Sequence, residues 1–413
     1  MIGVHAAVTP LLSDLPNAWE TRRFKAVLDR LSDRNEDLTF EMLSLRSTGA
    51  VVPRSLDPRQ EPDEANLPRY LIARIGDLVV NPMWLIGGGV GVSTLDGAVS
   101  PDYRVFRSRS VIEPRFLHYL LRCQPYLDQY LLYTRAQTTF DRRVQQGDLD
   151  NLPLPIPSID EQRAIADYLD RETDRIDALI EEQLRLIELL RERRQAVCTG
   201  AVILGIDHAK LRDSGDALVG LMPEHWTAQK VGHWLLSLDG RRIPLSAEER
   251  ASMQGEYDYY GASGVIDHVS EYLFDEPLVL VSEDGANLLA RSSPISFAAR
   301  GRYWVNNHAH VLRPRDGSVE FWAYRLEALD VSPFVSGSAQ PKLTASALMN
   351  MRVAAPTDVD EQRRIVAYLD EQAAKIDTLI AETERFIELS RERRTALITA
   401  AVTGQIDARG EVA

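Results

Sequence analysis

One stretch of this 413-residue chain occurs twice. Ser158–Asp207 reads SIDEQRAIADYLDRETDRIDALIEEQLRLIELLRERRQAVCTGAVILGID. Asp358–Asp407 reads DVDEQRRIVAYLDEQAAKIDTLIAETERFIELSRERRTALITAAVTGQID. The copies are 200 residues apart without a gap, and 27 of 50 positions are identical. Duplication explains this and chance does not. In the first copy Ile165, Leu169, Ile176, Ile180, Ile187 and Leu190 recur at spacings of three, four or seven; Ile365, Leu369, Ile376, Ile380 and Ile387 do the same in the second. That is the apolar stripe of a long amphipathic helix. Neither copy contains proline. Asp160 and Asp360 are placed as N-caps, and the Arg191-Glu-Arg-Arg194 and Arg391-Glu-Arg-Arg394 blocks lie toward the negative helix ends.

A lone rod cannot bury its stripe, whereas two copies can bury each other's. Ile176, Ile180, Ile187, Ile376, Ile380 and Ile387 are the expected seam, and the same helices offer a docking face for partner helices. The order is globe, rod, globe, rod: residues 1–157, 158–214, 215–357 and 358–413. The predicted class is α+β, two mixed α/β globes separated by two long helices. Two-fold equivalence of the halves favours an antiparallel coiled coil; parallel rods are the alternative. The globes repeat weakly. Pro16-x-x-Trp19 matches Pro223-x-x-Trp226, Leu78-Val-Val80 matches Leu278-Val-Leu280, Val105-Phe-Arg107 matches Val311-Leu-Arg313, and Phe116–Tyr119 matches Phe321–Tyr324. Between these landmarks the two globes differ, so one scaffold carries two surfaces.

Chemistry of its own is hard to find in the chain. Asn81-Pro82-Met83-Trp84 approaches the Asn-Pro-Pro-aromatic loop of amino-methyltransferases, but Met83 stands where the second proline belongs and no glycine-rich methyl-donor turn precedes it. Gly87-Gly-Gly-Val-Gly91 reads as a flexible or tightly turned loop, with a backbone that approaches phosphate as the alternative. His308-Ala-His310 would put two imidazoles on one strand face without further ligands nearby, so no metal site is expected. Cys123 and Cys198 form no C-x-x-C motif and read as reduced thiols of a cytoplasmic protein. No apolar run is long enough to span a membrane.

The two rods, with Asp-Glu-Gln-Arg-x-Ile, Tyr-Leu-Asp, Ile-Asp and Leu-Ile in each, together with Ser336-Gly-Ser-Ala-Gln-Pro-Lys-Leu343, Val305-Asn-Asn-His-Ala-His-Val311 and Tyr260-Gly-Ala-Ser-Gly264, resemble the DNA-specificity subunit of Type I restriction–modification systems. The resemblance covers essentially the whole chain. Thr134-Arg-Ala-Gln-Thr-Thr139 departs from the Gly-Ser-Ala-Gln-Pro-Lys pattern in the first globe. The resemblance implies two target-recognition domains, each reading half of a split, asymmetric site on double-stranded DNA. It implies rods that act as a ruler and bind two modification subunits carrying S-adenosylmethionine, which methylate adenine. ATP and Mg²⁺ belong to restriction subunits that can join them. This chain would hold no cofactor and no catalytic group. Rival readings are a protein-binding adaptor with two globes and, more remotely, a methyltransferase resting on Asn81-Pro82.

Base edges are read by Arg, Asn, Gln, Lys or Ser, while half or more of protein–DNA hydrogen bonds reach the backbone. The candidate DNA contacts are therefore Trp84, Arg104, Arg135, Gln137, Arg142 and Arg143 in the first globe. In the second they are Tyr260, Ser263, Asn306, His308, His310, Ser338, Gln340 and Lys342. Each could equally support its loop. Basic residues comprise 42 Arg and 5 Lys, a bias that suits bidentate recognition and that GC-rich coding also produces. The net charge of −14 is uneven: −1 in residues 1–157, −5 in 215–357, and −4 in each rod segment. An acidic reader of this kind is expected to bind DNA weakly by itself and to gain affinity from basic-faced partners. Titration of the isolated chain with duplex DNA at physiological salt should give weak binding; tight, specific binding would contradict the charge argument.

Overall fold

The computed structural model describes residues 6–56, 64–134, 142–337 and 340–408. Each copy of the repeat is one uninterrupted helix, Ile159–Leu204 and Val359–Val402. The caps fall two residues before the expected Asp160 and Asp360. Ser158 Oγ accepts from Glu161 N at 3.3 Å, and Asp358 Oδ1 from Asp360 N at 3.0 Å. The acidic pairs that follow, Asp160-Glu161 and Asp360-Glu361, occupy the first turn, where they oppose the positive end of the dipole. Both helices give way to a left-handed glycine, Gly205 (φ 74°) and Gly404 (φ 72°). At Gly404 a Cβ would lie 2.5 Å from Pro16 Cγ, so both conformation and space demand glycine. The Arg-Glu-Arg-Arg blocks do not serve the helix ends: neither helix has a basic residue in its last turn. Instead Arg394 Nε meets Asp177 Oδ1 at 2.9 Å and Arg194 Nε meets Asp377 Oδ1 at 3.1 Å, pairing one helix with the other. These pairs are exposed and add little stability, but they are specific to one register.

Two compact units divide the chain: Met1–Leu184 with Arg385–Ala413, and Arg185–Glu384. In the first unit, Ile165 and Leu169 from the opening of the first helix share a core with Ile398, Ala401 and Val402 from the close of the second. In the second unit the roles exchange, and Ile365 and Leu369 share a core with Ala201 and Val202. The helices therefore pack antiparallel. Ile176, Ile187, Ile376 and Ile387 are buried, whereas Ile180 and Ile380 are half-buried. No described helix is long and apolar enough to cross a membrane, and both cysteines are free.

The first unit holds an antiparallel sheet ordered Leu28–Leu31, Arg104–Ser108, Leu78–Val80, Val90–Val92. The second unit repeats it as Leu235–Ser237, Ala309–Pro314, Leu278–Ser282, Ser296–Ala299. In both, a two-stranded pair joins the segment after the P-x-x-W turn to the strand before the long helix: Glu20–Arg23 with Pro153–Ile156, and Thr227–Lys230 with Arg352–Ala355. Trp19 N and Trp226 N bond to Pro16 O and Pro223 O at 2.9 and 3.0 Å, so the turn is the same. Register corrects one landmark. Val79 faces Val105 and Leu280 faces Val311, so Leu78-Val-Val80 is equivalent to Val279-Leu-Val281, one residue on from the sequence match. The units diverge in their outlying strands. The second adds a four-stranded sheet, Gly264–Val269, Gln254–Gly261, Arg302–Val305, Phe274–Asp275, with its two middle strands parallel. The first has two short pairs, Leu43–Leu45 with Val51–Pro53 and Leu71–Ala73 with Gly97–Val99.

Ile187→Asp or Ile387→Asp should lower the melting temperature, since each strands a carboxylate where isoleucine is buried, at a cost of roughly 3–5 kcal/mol. Leu189→Asp, at a position 61% exposed, should leave it within about 0.5 kcal/mol of the parent by thermal denaturation.

Candidate nucleic-acid interface

In the first globe the turn after Leu78–Val80 is closed by its own backbone. Asn81 N donates to Gly89 O at 2.8 Å and Gly89 N to Trp84 O at 2.9 Å. A Cβ on Gly89 would lie 2.8 Å from Trp84 O, so glycine permits the closure. The Asn81 side chain is spent inside the turn, its Oδ1 accepting from Met83 N at 3.1 Å. That use shapes a loop and leaves Met83 and Trp84 exposed at its tip. Val144 N donates to Pro82 O at 2.9 Å and ties the Arg142-Arg143 segment to this loop. Arg143 is exposed, 3.9 Å from Asp102, and Arg142 is half-buried. Arg104, at the start of the central strand, is 8% exposed. Burial, followed by the charges of Arg30 and Arg143, holds its guanidinium pKa below the ordinary arginine value. Trp84, Arg104 and Arg143 thus gather beside one loop, joined by Arg30, which the sequence did not single out. Arg135 and Gln137 lie outside the described residues.

In the second globe, four turns converge at one sheet end. Ser282 Oγ donates to Ala262 O, bringing in the Gly261–Gly264 turn that carries exposed Ser263. Asn306 N donates to Tyr260 O at 3.0 Å, and its Oδ1 accepts from His308 N at 2.8 Å. Asn306 is buried and folds this turn; it does not present its amide to solvent. Tyr260 stacks on Phe297 with ring centroids 5.8 Å apart. Gly285 N donates to Pro341 O at 3.0 Å and Leu343 N to Glu283 O at 2.8 Å, which seats the segment carrying Gln340 and Lys342. Gln340 is exposed, Lys342 Nζ lies 3.0 Å from Glu283 Oε1, and Ser338 is outside the described residues.

The two histidines do not share a strand face. His308 stands in the turn before Ala309–Pro314, exposed, with Nδ1 2.9 Å from Asp284. His310 is 1% exposed, with Nδ1 2.7 Å from Asp239 Oδ2 and Nε2 2.8 Å from Leu343 O. The ring is thus held at both nitrogens by oxygen partners. Asp239, Glu283 and His310 bring donor atoms within 4.8 Å of one another, the set a cation would use. Their capacity is already taken: Arg242 Nη1 donates to Glu283 Oε2 and to Ala309 O, each at 2.7 Å, and Lys342 binds the other Glu283 oxygen. Burial pushes the Asp239 carboxyl up, but the bond and charge of His310 outweigh it, and the net pKa is below the ordinary value. Glu283 follows the same pattern, with Arg242 and Lys342 as the opposing cations. Sequence reading missed Asp239 and Arg242, which reach this network from about seventy residues away; their only local signal is charge beside a short apolar strand.

Carboxyls depressed in the fold stabilise it above their unfolded pKa of about 4, and that contribution is lost as pH falls through the lower folded value. The urea midpoint should therefore drop steeply below about pH 4, and less steeply in Asp239→Asn, when followed by tryptophan fluorescence.

Comparison with known proteins comes to bear on this geometry. A family model described as the Type I restriction modification DNA specificity domain matches residues 88–189 and 224–388. A Haemophilus influenzae protein described as a type I restriction enzyme specificity subunit is 32% identical over 134 residues, 32% of this chain and 34% of that protein. The EcoDI specificity subunit of a type I restriction enzyme from Escherichia coli is 22% identical over 189 residues, 45% of this chain and 40% of the relative. The matched stretches thus span less than half the length of these curated relatives. Among solved structures, a chain from a study of complex assembly and conformational transition of the type I R-M system aligns over 95% of this chain and 100% of its own, with a TM-score of 0.72 and 19% identity. The HsdS subunit from Thermoanaerobacter tengcongensis aligns over 95% and 98%, with a TM-score of 0.58 and 20% identity. At these identities the likeness is one of fold.

Proposed function

Because the chain belongs to the Type I restriction–modification DNA-specificity family, we propose that it reads a bipartite, asymmetric site on double-stranded DNA, one half with each globe. The observation that carries this reading is the pairing of one repeated frame with two unlike recognition ends. The strands, the P-x-x-W turn and the helix anchors recur, while the turns around Trp84 and those around Ser263, His308 and Lys342 do not. A device that reads two unrelated half-sites needs that combination: equivalent placement with different chemistry. Exposed Trp84, Arg143, Ser263, His308, Gln340 and Lys342 are the groups available to reach DNA. Buried Asn306 and His310 act by holding their turns.

The chain supplies specificity, and its partners supply chemistry. Modification subunits bearing S-adenosylmethionine methylate adenine at the site, and restriction subunits using ATP and Mg²⁺ join the same assembly. The long helices offer these partners apolar residues that their mutual seam does not use. Leu179, Leu186 and Leu189 are 40–61% exposed on the first, and Leu379, Phe386 and Leu389 are 45–53% exposed on the second. The spacing of seven and then three keeps each trio on one face of its helix. Helix length then governs the spacer between half-sites. Sequencing of methylated bases in the host, with and without this chain, should show one bipartite adenine motif lost on deletion and restored on complementation. An unchanged methylation pattern would overturn the proposal.

A further inference from the structure

Arg104 and His310 occupy the same place in the two globes. Arg104 faces Val80 across the sheet, His310 faces Val281, and the strands carrying them align from Val105 with Val311. His310 is surrounded by built-in charge partners, Asp239 at 2.7 Å and Glu283 at 3.7 Å. Arg104 has none. Its Nη1 is buried without a hydrogen-bond partner among the described residues. The charges nearest in effect are Arg30 and Arg143, both repulsive, against Asp150, which is already held by Gln146 Nε2 at 2.6 Å. The position equivalent to Glu283 is Pro82, so that carboxylate has no counterpart in the first globe.

A buried cation without a partner is costly, and more so with two like charges beside it. Such an arrangement is explained when the missing partner arrives from outside. The edge of a guanine offers acceptors but no net charge, whereas three guanidinium groups call for an anion. We propose that Arg104, Arg30 and Arg143 form a socket, present only in the first globe, that takes a backbone phosphate of the bound DNA. This rests on the reading of the first globe as a DNA-binding domain. The phosphate would set the depth and register of the first globe on its half-site, while Trp84 and the neighbouring loop face the bases. The second globe, with its internal carboxylates, needs no phosphate at the equivalent point.

The full chain and Arg104→Gln are compared in two measurements. In thermal melting without added anion, the variant should melt at or above the parent temperature, because the cation removed had no partner. Inorganic phosphate should raise the melting point of the parent and not that of the variant. A variant that melts lower than the parent marks Arg104 as structural and overturns the socket. Equal phosphate shifts in both proteins mean an adventitious ion only, and also overturn it. In DNA titrations of each protein assembled with its modification subunits, the variant should bind the methylated motif and a scrambled duplex roughly tenfold or more weakly alike, and its log K against log salt slope should fall by about one. A loss confined to one base pair with an unchanged slope makes Arg104 a base reader and refutes the phosphate assignment. If the parent discriminates the motif and the variant matches it, the socket is refuted and the proposed function stands. If the parent does not discriminate at all, the proposed function fails while the phosphate-melting result decides the socket.

Discussion

Each globe is completed by residues that come from far along the chain. In the first unit, Ile165 and Leu169 supply one side of the core and Ile398, Ala401 and Val402 another; in the second, Ile365 and Leu369 meet Ala201 and Val202. The opening of one long helix and the close of the other must be present together for either core to exclude water. That requirement imposes the antiparallel pairing, and the Asp177–Arg394 and Asp377–Arg194 contacts mark its register. It also accounts for the persistence of the repeat. Each helix lines one core with its opening and the other with its close, so both of its ends are constrained by packing where the globes are free to drift.

The drift is concentrated at the sheet ends, and charge compensation shows how different the outcomes are. The second globe closes a network in which Asp239 and Glu283 are balanced by His310, Arg242 and Lys342. The first collects Arg30, Arg104 and Arg143 beside an exposed tryptophan. The net charge of −14 therefore says little about affinity for a polyanion. What matters is where cations are left without internal partners, and that is a local property of one globe.

Much of the frame was legible beforehand, because helical periodicity and a gapless repeat are written in neighbouring residues. The two rods and the P-x-x-W turn are found where the pattern places them, and Ile176, Ile187, Ile376 and Ile387 are buried. Details that depend on a single hydrogen bond were not. The caps moved to Ser158 and Asp358, the Arg-Glu-Arg-Arg blocks turned out to pair across helices, and one strand match shifted by a residue. His308 and His310, two residues apart, fell into opposite environments because the strand begins at Ala309, between them.

The sequence by itself determined the helices, the duplicated scaffold and the antiparallel logic, since burying a stripe of isoleucines is a demand that each segment states locally. The tertiary structure alone decided which charged residues are neutralised and which stand alone. His310 meets Asp239 across 71 residues of chain, whereas Arg104 at the equivalent point lies among Arg30, Arg143 and Asp150, its Nη1 without a hydrogen-bond partner among the described residues. Pairing of that kind depends on what the fold brings within 3 Å, and no local pattern records it.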